Sequence, residues 1–234
     1  MTQQDAEPAG TCDSGHEEER NEARQRIAFW VLGPWIVAIL MCSYILLAQA
    51  YAVSAHGSLL PLEILPFFVL LFLGALVAIP ISLLCLISKK LRRRACAYLY
   101  FSPVFAVLFF GAMYISPRIR MRAFHKLTVR AVPLVQAIHK FENDKGHPPK
   151  TLHELTTEYI SSIPQTGMGA YPEFRYVSVE DPDKWDNNPW VLYVNTSICI
   201  NNFDRFIYFP KQNYPEEGYG GVLERVGDWA YVHE

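Results

Sequence analysis

The sequence predicts an α-helical membrane region of three transmembrane helices followed by an α+β domain. That domain is expected to hold a long amphipathic helix, a short helix and an antiparallel sheet of about four or five strands. Three observations predict this. Residues 27–55, 64–88 and 95–117 contain no Asp, Glu, Lys or Arg. Apolar positions then recur at helical spacing beyond residue 118, and past residue 173 the period changes to two. The 234-residue chain has net charge −2 and a mean hydropathy of +0.08, values that average over two unlike halves.

Each apolar run is long enough to cross a bilayer core, which takes ~20 residues as helix. The expected divisions are a disordered cytoplasmic tail over 1–26, a transmembrane region over 27–117 and an extracytoplasmic domain over 118–234. The tail is polar and carries Glu17-Glu18-Glu19. It lacks the basic start and apolar core of a cleavable signal peptide. Cys12 and His16 within it are two ligand types but do not make a metal site.

Orientation follows from basic residues in the short loops. Lys89, Lys90, Arg92, Arg93 and Arg94 lie between the second and third runs, whereas the loop around His56-Gly57-Ser58 has no Lys or Arg. The loop at Lys89 to Arg94 is therefore expected in the cytoplasm, with the N-terminus, and the tip around His56-Gly57-Ser58 and the C-terminal domain outside. Arg20, Arg24 and Arg26 agree. Arg118, Arg120, Arg122 and Lys126 would then face outward, and the three alternating arginines are expected to lie along headgroups with side chains snorkelling to water. Glu63 opens the second run near the outer interface, where water solvates it. Pro34, Pro61, Pro66, Pro80 and Pro103 are tolerable where neighbours satisfy the freed carbonyls.

Phe124, Leu127, Ala131, Leu134, Ile138 and Phe141 define one face of an amphipathic helix. Pro133 is expected to kink or restart it, and Gly146 with Pro148 and Pro149 to end it. Thr151-Leu152-His153-Glu154 reads as a capping box opening a short helix to about Tyr159, with Leu152, Leu155 and Tyr159 inward. Strand candidates follow at 174–179, 190–198, 205–209, 222–226 and 229–232. A sheet of these strands would cover the apolar helix face.

The stretch from Leu134 to Pro164 resembles the pilin and pseudopilin class, in particular the major pseudopilin of type II secretion systems. The residues that carry the resemblance are Leu134-Val135-Gln136-Ala137-Ile138, Phe141-Glu142-Asn143-Asp144, Lys145-Gly146-His147-Pro148, Thr151-Leu152-His153-Glu154-Leu155, Tyr159-Ile160 and Ile163-Pro164, followed by Phe174-Arg175-Tyr176. The resemblance implies a pilin-like fold over roughly the last half of the chain. Residues 95–105 depart from the family: they hold no acidic residue in the stalk and no Gly before a Phe for leader cleavage. Processing by a prepilin peptidase is therefore not expected, and the implied arrangement is a pilin-like domain on a fixed membrane anchor.

Glu180, Asp181, Asp183 and Asp186 with Asn187 and Asn188 are the densest oxygen-ligand cluster, and the resembled family binds calcium in its C-terminal loops. EF-hand spacing is absent here, and Pro182, Lys184, Trp185 and Pro189 read as a solvated turn. His139, His147 and His153 read as surface histidines rather than zinc ligands. Ser161 and Ser162 lack a nucleophile-elbow context. Of the five cysteines, Cys42, Cys85 and Cys96 accompany apolar runs, Cys12 lies in the tail and Cys199 stands alone in the C-terminal domain. Trp185, Trp190, Trp229, Tyr193, Tyr208, Tyr214, Tyr219 and Tyr231 read first as sheet core, with an exposed binding patch as the alternative.

No catalytic residue, cofactor or metal ligand is assigned, and nucleic acid is not an expected partner, since the basic residues cluster beside the apolar runs. The expected partners are the lipid bilayer and a protein of the cell envelope. The leading expectation is a non-enzymatic multi-pass protein of a bacterial cytoplasmic membrane, whose periplasmic or extracellular domain binds an envelope or secretion-system component. Binding would use the sheet surface and the loop from Trp185 to Trp190, or an unpaired edge strand. The alternatives are a membrane-anchored hydrolase or transferase acting on envelope material, and a protective protein neutralising an exported toxin.

Overall fold

The computed structural model describes residues 13–156, 158–179, 182–198 and 202–233. Three long helices precede a six-stranded antiparallel sheet: α1 (Asp13–Ala52), α2 (Leu65–Cys85) and α3 (Arg92–Lys145), then β1 (Arg175–Ser178), β2 (Trp190–Asn195), β3 (Arg205–Tyr208), β4 (Glu217–Gly218), β5 (Gly221–Val226) and β6 (Trp229–His233). All three helices are long and apolar enough to cross a membrane. The expectation of a disordered tail is corrected over 13–26, where the chain is already helical. This stretch is rich in Glu and Arg, both good helix formers, and it leads directly into an apolar helix that extends it. The rest of that expectation, including Cys12, lies outside the described residues.

The chain divides into two compact units, one of residues 1–42 with 72–110 and the other of residues 43–71 with 111–234. The border runs through the helices. In the first unit Phe72 is the hub: its ring stacks on Phe109 at 4.1 Å and meets Phe105 at 5.7 Å and Phe110 edge-on at 5.3 Å. Trp35 meets Phe101 edge-on at 5.2 Å, and the Tyr98 hydroxyl donates to the Ala75 carbonyl. Around this interior Leu73, Val77, Ile81, Leu84, Val107 and Phe110 are exposed. An apolar exterior of this kind is the pattern of a helix bundle whose solvent is lipid.

In the second unit α3 supplies one wall of the core. Phe124, Leu127, Ala131, Leu134 and Ile138 are all at 0 % exposure and Phe141 at 6 %, so the predicted stripe is the buried stripe. It packs on one sheet face made by Trp190, Leu192 and Val194 of β2, Phe206 and Tyr208 of β3, and Trp229 and Tyr231 of β6. Phe206 lies stacked between Phe124 at 4.8 Å and Trp229 at 5.1 Å. The opposite face carries Val191, Ile207 and Val232, roofed with Phe209 by Trp185, Tyr214 and Tyr219 from the loops. Period-two alternation thus serves two cores at once.

The sheet order is β1-β2-β3-β6-β5-β4. Five of the six strands match the sequence candidates. The sixth, β4, pairs only Glu217 with Val222 and Gly218 with Gly221, and a two-residue strand carries no readable period. The third apolar run and the amphipathic helix are one helix of 54 residues, running through Pro103, Pro117 and Pro133. Pro133 therefore does not restart the helix: apolar packing at Ala131 and Leu134 holds both sides, against a cost of ~3 kcal/mol for an interior proline. Gly146 ends the helix at φ +76, its amide donating to the Glu142 carbonyl at 2.8 Å.

The predicted short α-helix is a single 3-10 turn, Leu152–Leu155. Its capping box does not close: the Thr151 side chain makes no cap hydrogen bond, and the Glu154 carboxylate accepts from the Lys150 amide at 3.3 Å. Four residues after Pro148-Pro149 offer too little helix for a reciprocal cap. Leu155 is nevertheless fully buried, with Leu152 and Tyr159 packed against the same cluster.

The tip of the α1–α2 hairpin belongs to the second unit. There the Gly169 amide donates to the Ser54 carbonyl at 2.7 Å and the Ala170 amide to the Ala52 carbonyl at 3.4 Å. A Cβ on Gly169 would stand 2.4 Å from the Gly57 carbonyl oxygen, and one on Gly57 would stand 1.9 Å from the Tyr51 carbonyl oxygen. The segment at 169–170 reaches the tip only because Gly169 lacks a side chain, and the tip folds back on the end of α1 only because Gly57 lacks one. Gly169→Ala is expected to destabilise the second unit by about 2 kcal/mol, measured as a lower unfolding midpoint in detergent. Ser58→Ala nearby should stay within about 0.5 kcal/mol of the wild type.

Candidate functional site

Arg120 is the feature that sequence reasoning placed wrongly. Residues two apart on a helix are ~200° apart around the axis, so Arg120 does not share the face of Arg118 and Arg122. Arg118 is exposed, its guanidinium 4.1 Å over the Tyr114 ring. Arg120 points the other way and is only 4 % exposed. It is not a headgroup residue.

The Arg120 guanidinium sits 3.3 Å from Asp204 through Nη1 and Oδ2, and its Nη2 donates to the Thr196 carbonyl. Asp204 is 5 % exposed. It also accepts from the Tyr231 hydroxyl and, at 2.8 Å, from the Asn202 side-chain amide. Thr196 follows β2 and Asp204 precedes β3, and the Thr196 amide donates to the Asp204 carbonyl at 2.9 Å. The sheet end is thereby closed where α3 passes it. Three rings surround the cation: Tyr231 at 5.1 Å, Phe124 at 5.4 Å and Tyr171 at 5.8 Å.

Burial pushes the Tyr231 hydroxyl well above its ordinary pKa. The Arg120 charge opposes the shift, and the hydrogen bond to Asp204 adds to it. Tyr171 is raised by burial in the same way, with Arg120 opposing. Tyr231 is thus held protonated as a donor to Asp204. Arg120 Nε, Tyr171 Oη and Thr196 Oγ1 are buried without a hydrogen-bond partner among the described residues. A buried pair with its polar atoms incompletely satisfied holds geometry better than it adds net stability.

The loop at 182–189 is tied to the neighbouring loop through Asn188, which is 1 % exposed. Its side-chain amide donates to the Trp185 carbonyl and to Asn213 Oδ1, both at 2.8 Å, and its carbonyl oxygen accepts from the Lys211 amide at 3.0 Å. Asp186 accepts from the Tyr219 hydroxyl, and Trp185 stacks on Tyr219 at 5.1 Å. Glu180 and Asp181 lie outside the described residues, as does the side chain of Asp183, so that part of the oxygen cluster is not placed. Trp185, Trp190, Trp229, Tyr208 and Tyr231 are buried and Tyr193, Tyr214 and Tyr219 half-buried, so these rings are core, not a presented patch.

The three histidines do not converge. His139 approaches Glu142 at 3.7 Å and meets the Trp190 ring edge-on at 5.2 Å, while the His147 ring lies 5.9 Å from Phe141. His153 is exposed on its 3-10 turn, as are Ser161, Ser162 and Glu63. Among the described residues no three His, Cys, Asp or Glu side chains come together as a metal site. Cys42, Cys85 and Cys96 are free thiols, and Cys199 lies outside the described residues. No family, curated protein or solved structure matches this chain.

Replacing Arg120 by Met alone, or Asp204 by Leu alone, leaves a buried charge uncompensated and should cost about 3 kcal/mol or more. The double variant is expected to be more stable than either single one, read as the coupling energy of a double-mutant cycle. A second expectation concerns alkaline pH. The folded pKa of Tyr231 lies above its unfolded value of about 10, so its contribution is fully present below pH 10 and is lost as pH rises further. Folding stability, read by equilibrium unfolding, should therefore fall above about pH 10, less steeply in Tyr231→Phe.

Proposed function

We propose that the protein is a multi-pass membrane protein that presents its α+β domain as a binding module to a protein partner in the bacterial cell envelope. The N-terminus would be cytoplasmic and the domain extracytoplasmic. The observation that carries this reading is the unpaired outer edge of β1. Among the described residues the strand pairs with β2 alone, at one end of the sheet order. The Val179 amide donates to the Pro189 carbonyl, so the strand's odd-numbered amides point into the ladder and those of Tyr176 and Ser178 point outward. An extended partner segment adding to this edge would take main-chain hydrogen bonds there.

Two further features support the reading. A single helix, α3, contains both an apolar stretch long enough to cross a bilayer and the stripe that forms the core of the second unit. A long helix laid across an antiparallel sheet is also the arrangement expected of a pilin-like domain retained on a membrane anchor. Burial of Arg120 against Asp204 removes one cation from the group on the outer side and lessens the one conflict with the proposed orientation.

In situ cross-linking in intact membranes, followed by purification through a C-terminal tag, is expected to recover an envelope protein with the chain. Ser178→Pro removes an outward amide without touching the ladder and should abolish that cross-link while leaving the unfolding midpoint within about 1 kcal/mol of wild type. Recovery of the chain alone, or full capture by the proline variant, would overturn the edge-strand reading.

A further inference from the structure

We propose that a basic cleft beside α3 holds the anionic headgroup of a phospholipid. The inference rests on the reading that the three apolar helices cross a bilayer. Arg118, Arg122, Lys126 and Arg130 are spaced four apart on α3, so they form one stripe along the helix. Arg122, Lys126 and Arg130 line a cleft of about 400 Å³ together with Val53, Ser54 and Ile119. No Asp or Glu lines it.

Arg130 is anchored, donating from Nη1 to the Thr166 carbonyl at 3.0 Å. Arg122 and Lys126 make no ion pair or hydrogen bond among the described residues. Like charges four apart on a helix repel, so the stripe is destabilising until an anion joins it. The level of the cleft points to the source of that anion. The apolar span of α1 ends at Ala52, and Ala50 and Val53 are cleft residues. On α3 the exposed Met113, Tyr114 and Ile115 give way within one turn to Arg118. Cations where an apolar exterior stops stand at the depth of lipid phosphates, worth ~1 kcal/mol each against an anionic surface. The apolar part of the lining at Val53 and Ile119 suits a glycerol backbone and the first methylenes of its chains, which free phosphate lacks.

The test uses the full chain in nanodiscs of phosphatidylcholine alone or mixed with phosphatidylglycerol. Lipids that stay bound after mild detergent extraction are counted by native mass spectrometry. Wild type should retain phosphatidylglycerol over phosphatidylcholine, and R122Q/K126Q should lower that preference about tenfold. R118Q, outside the cleft, should keep it. In pure phosphatidylcholine R122Q/K126Q should unfold no more easily than wild type, because repulsion is relieved, which separates loss of a site from loss of the fold. Equal retention by wild type and the double variant would overturn the proposal. So would displacement of the lipid by inorganic phosphate, which would mark a free-phosphate site. A chain that enters neither bilayer refutes the membrane reading itself, whereas incorporation without lipid preference refutes only the headgroup site.

Discussion

A guanidinium at 4 % exposure has to meet an anion at one depth only, and in this protein Arg120 meets Asp204. The apolar contact between α3 and the sheet is broad and tolerant of small slides, since Phe, Leu and Ala rows repack at modest cost. The ion pair is not tolerant: displacing α3 by one residue would turn Arg120 by ~100° and strand two charges out of water. The pair therefore acts as a register pin for the helix–sheet packing. Tyr231, held protonated, and Asn202 also donate to the carboxylate, so the pin reaches β6 as well as the segment leading into β3.

Around that pin the domain is built in three layers. The α3 stripe covers one sheet face, and aromatic side chains from the loops cover the other. Phe206 between Phe124 and Trp229 links helix to sheet, while Trp185 on Tyr219 links loop to loop. Asn188 joins the two roofing loops through two hydrogen bonds, with Asn213 and Lys211, and ties back to Trp185 in its own loop through a third. A sheet buried on both faces leaves its edges as its accessible main-chain surface, which is why the binding proposal centres on β1 rather than on the tryptophans.

The hairpin tip shows a second constraint of the same local kind. The segment at 166–171 is braced by the fully buried Thr166, whose hydroxyl donates to the Tyr171 carbonyl at 2.5 Å and accepts from the Met168 amide at 3.1 Å. That brace presents Gly169 and Ala170 to the end of α1. Close backbone approach at Gly57 and Gly169 then makes the tip part of the second unit.

Uninterrupted apolar length determined the three apolar helices, and residue pattern the buried face of α3 and five strands, because each is a property of side-chain type along a single element. Tertiary structure decided the rest. The fate of Arg120 depended on a carboxylate 84 positions away, and no spacing along the chain encodes that distance. Pro133 is expected to kink or restart the helix because local propensity opposes proline, yet the helix is not restarted there, since packing on both sides outweighs one missing hydrogen bond. The tryptophans left two readings open, since an aromatic residue serves core and surface equally well by composition. Burial settled them as core, because both faces of the sheet turned out to be covered.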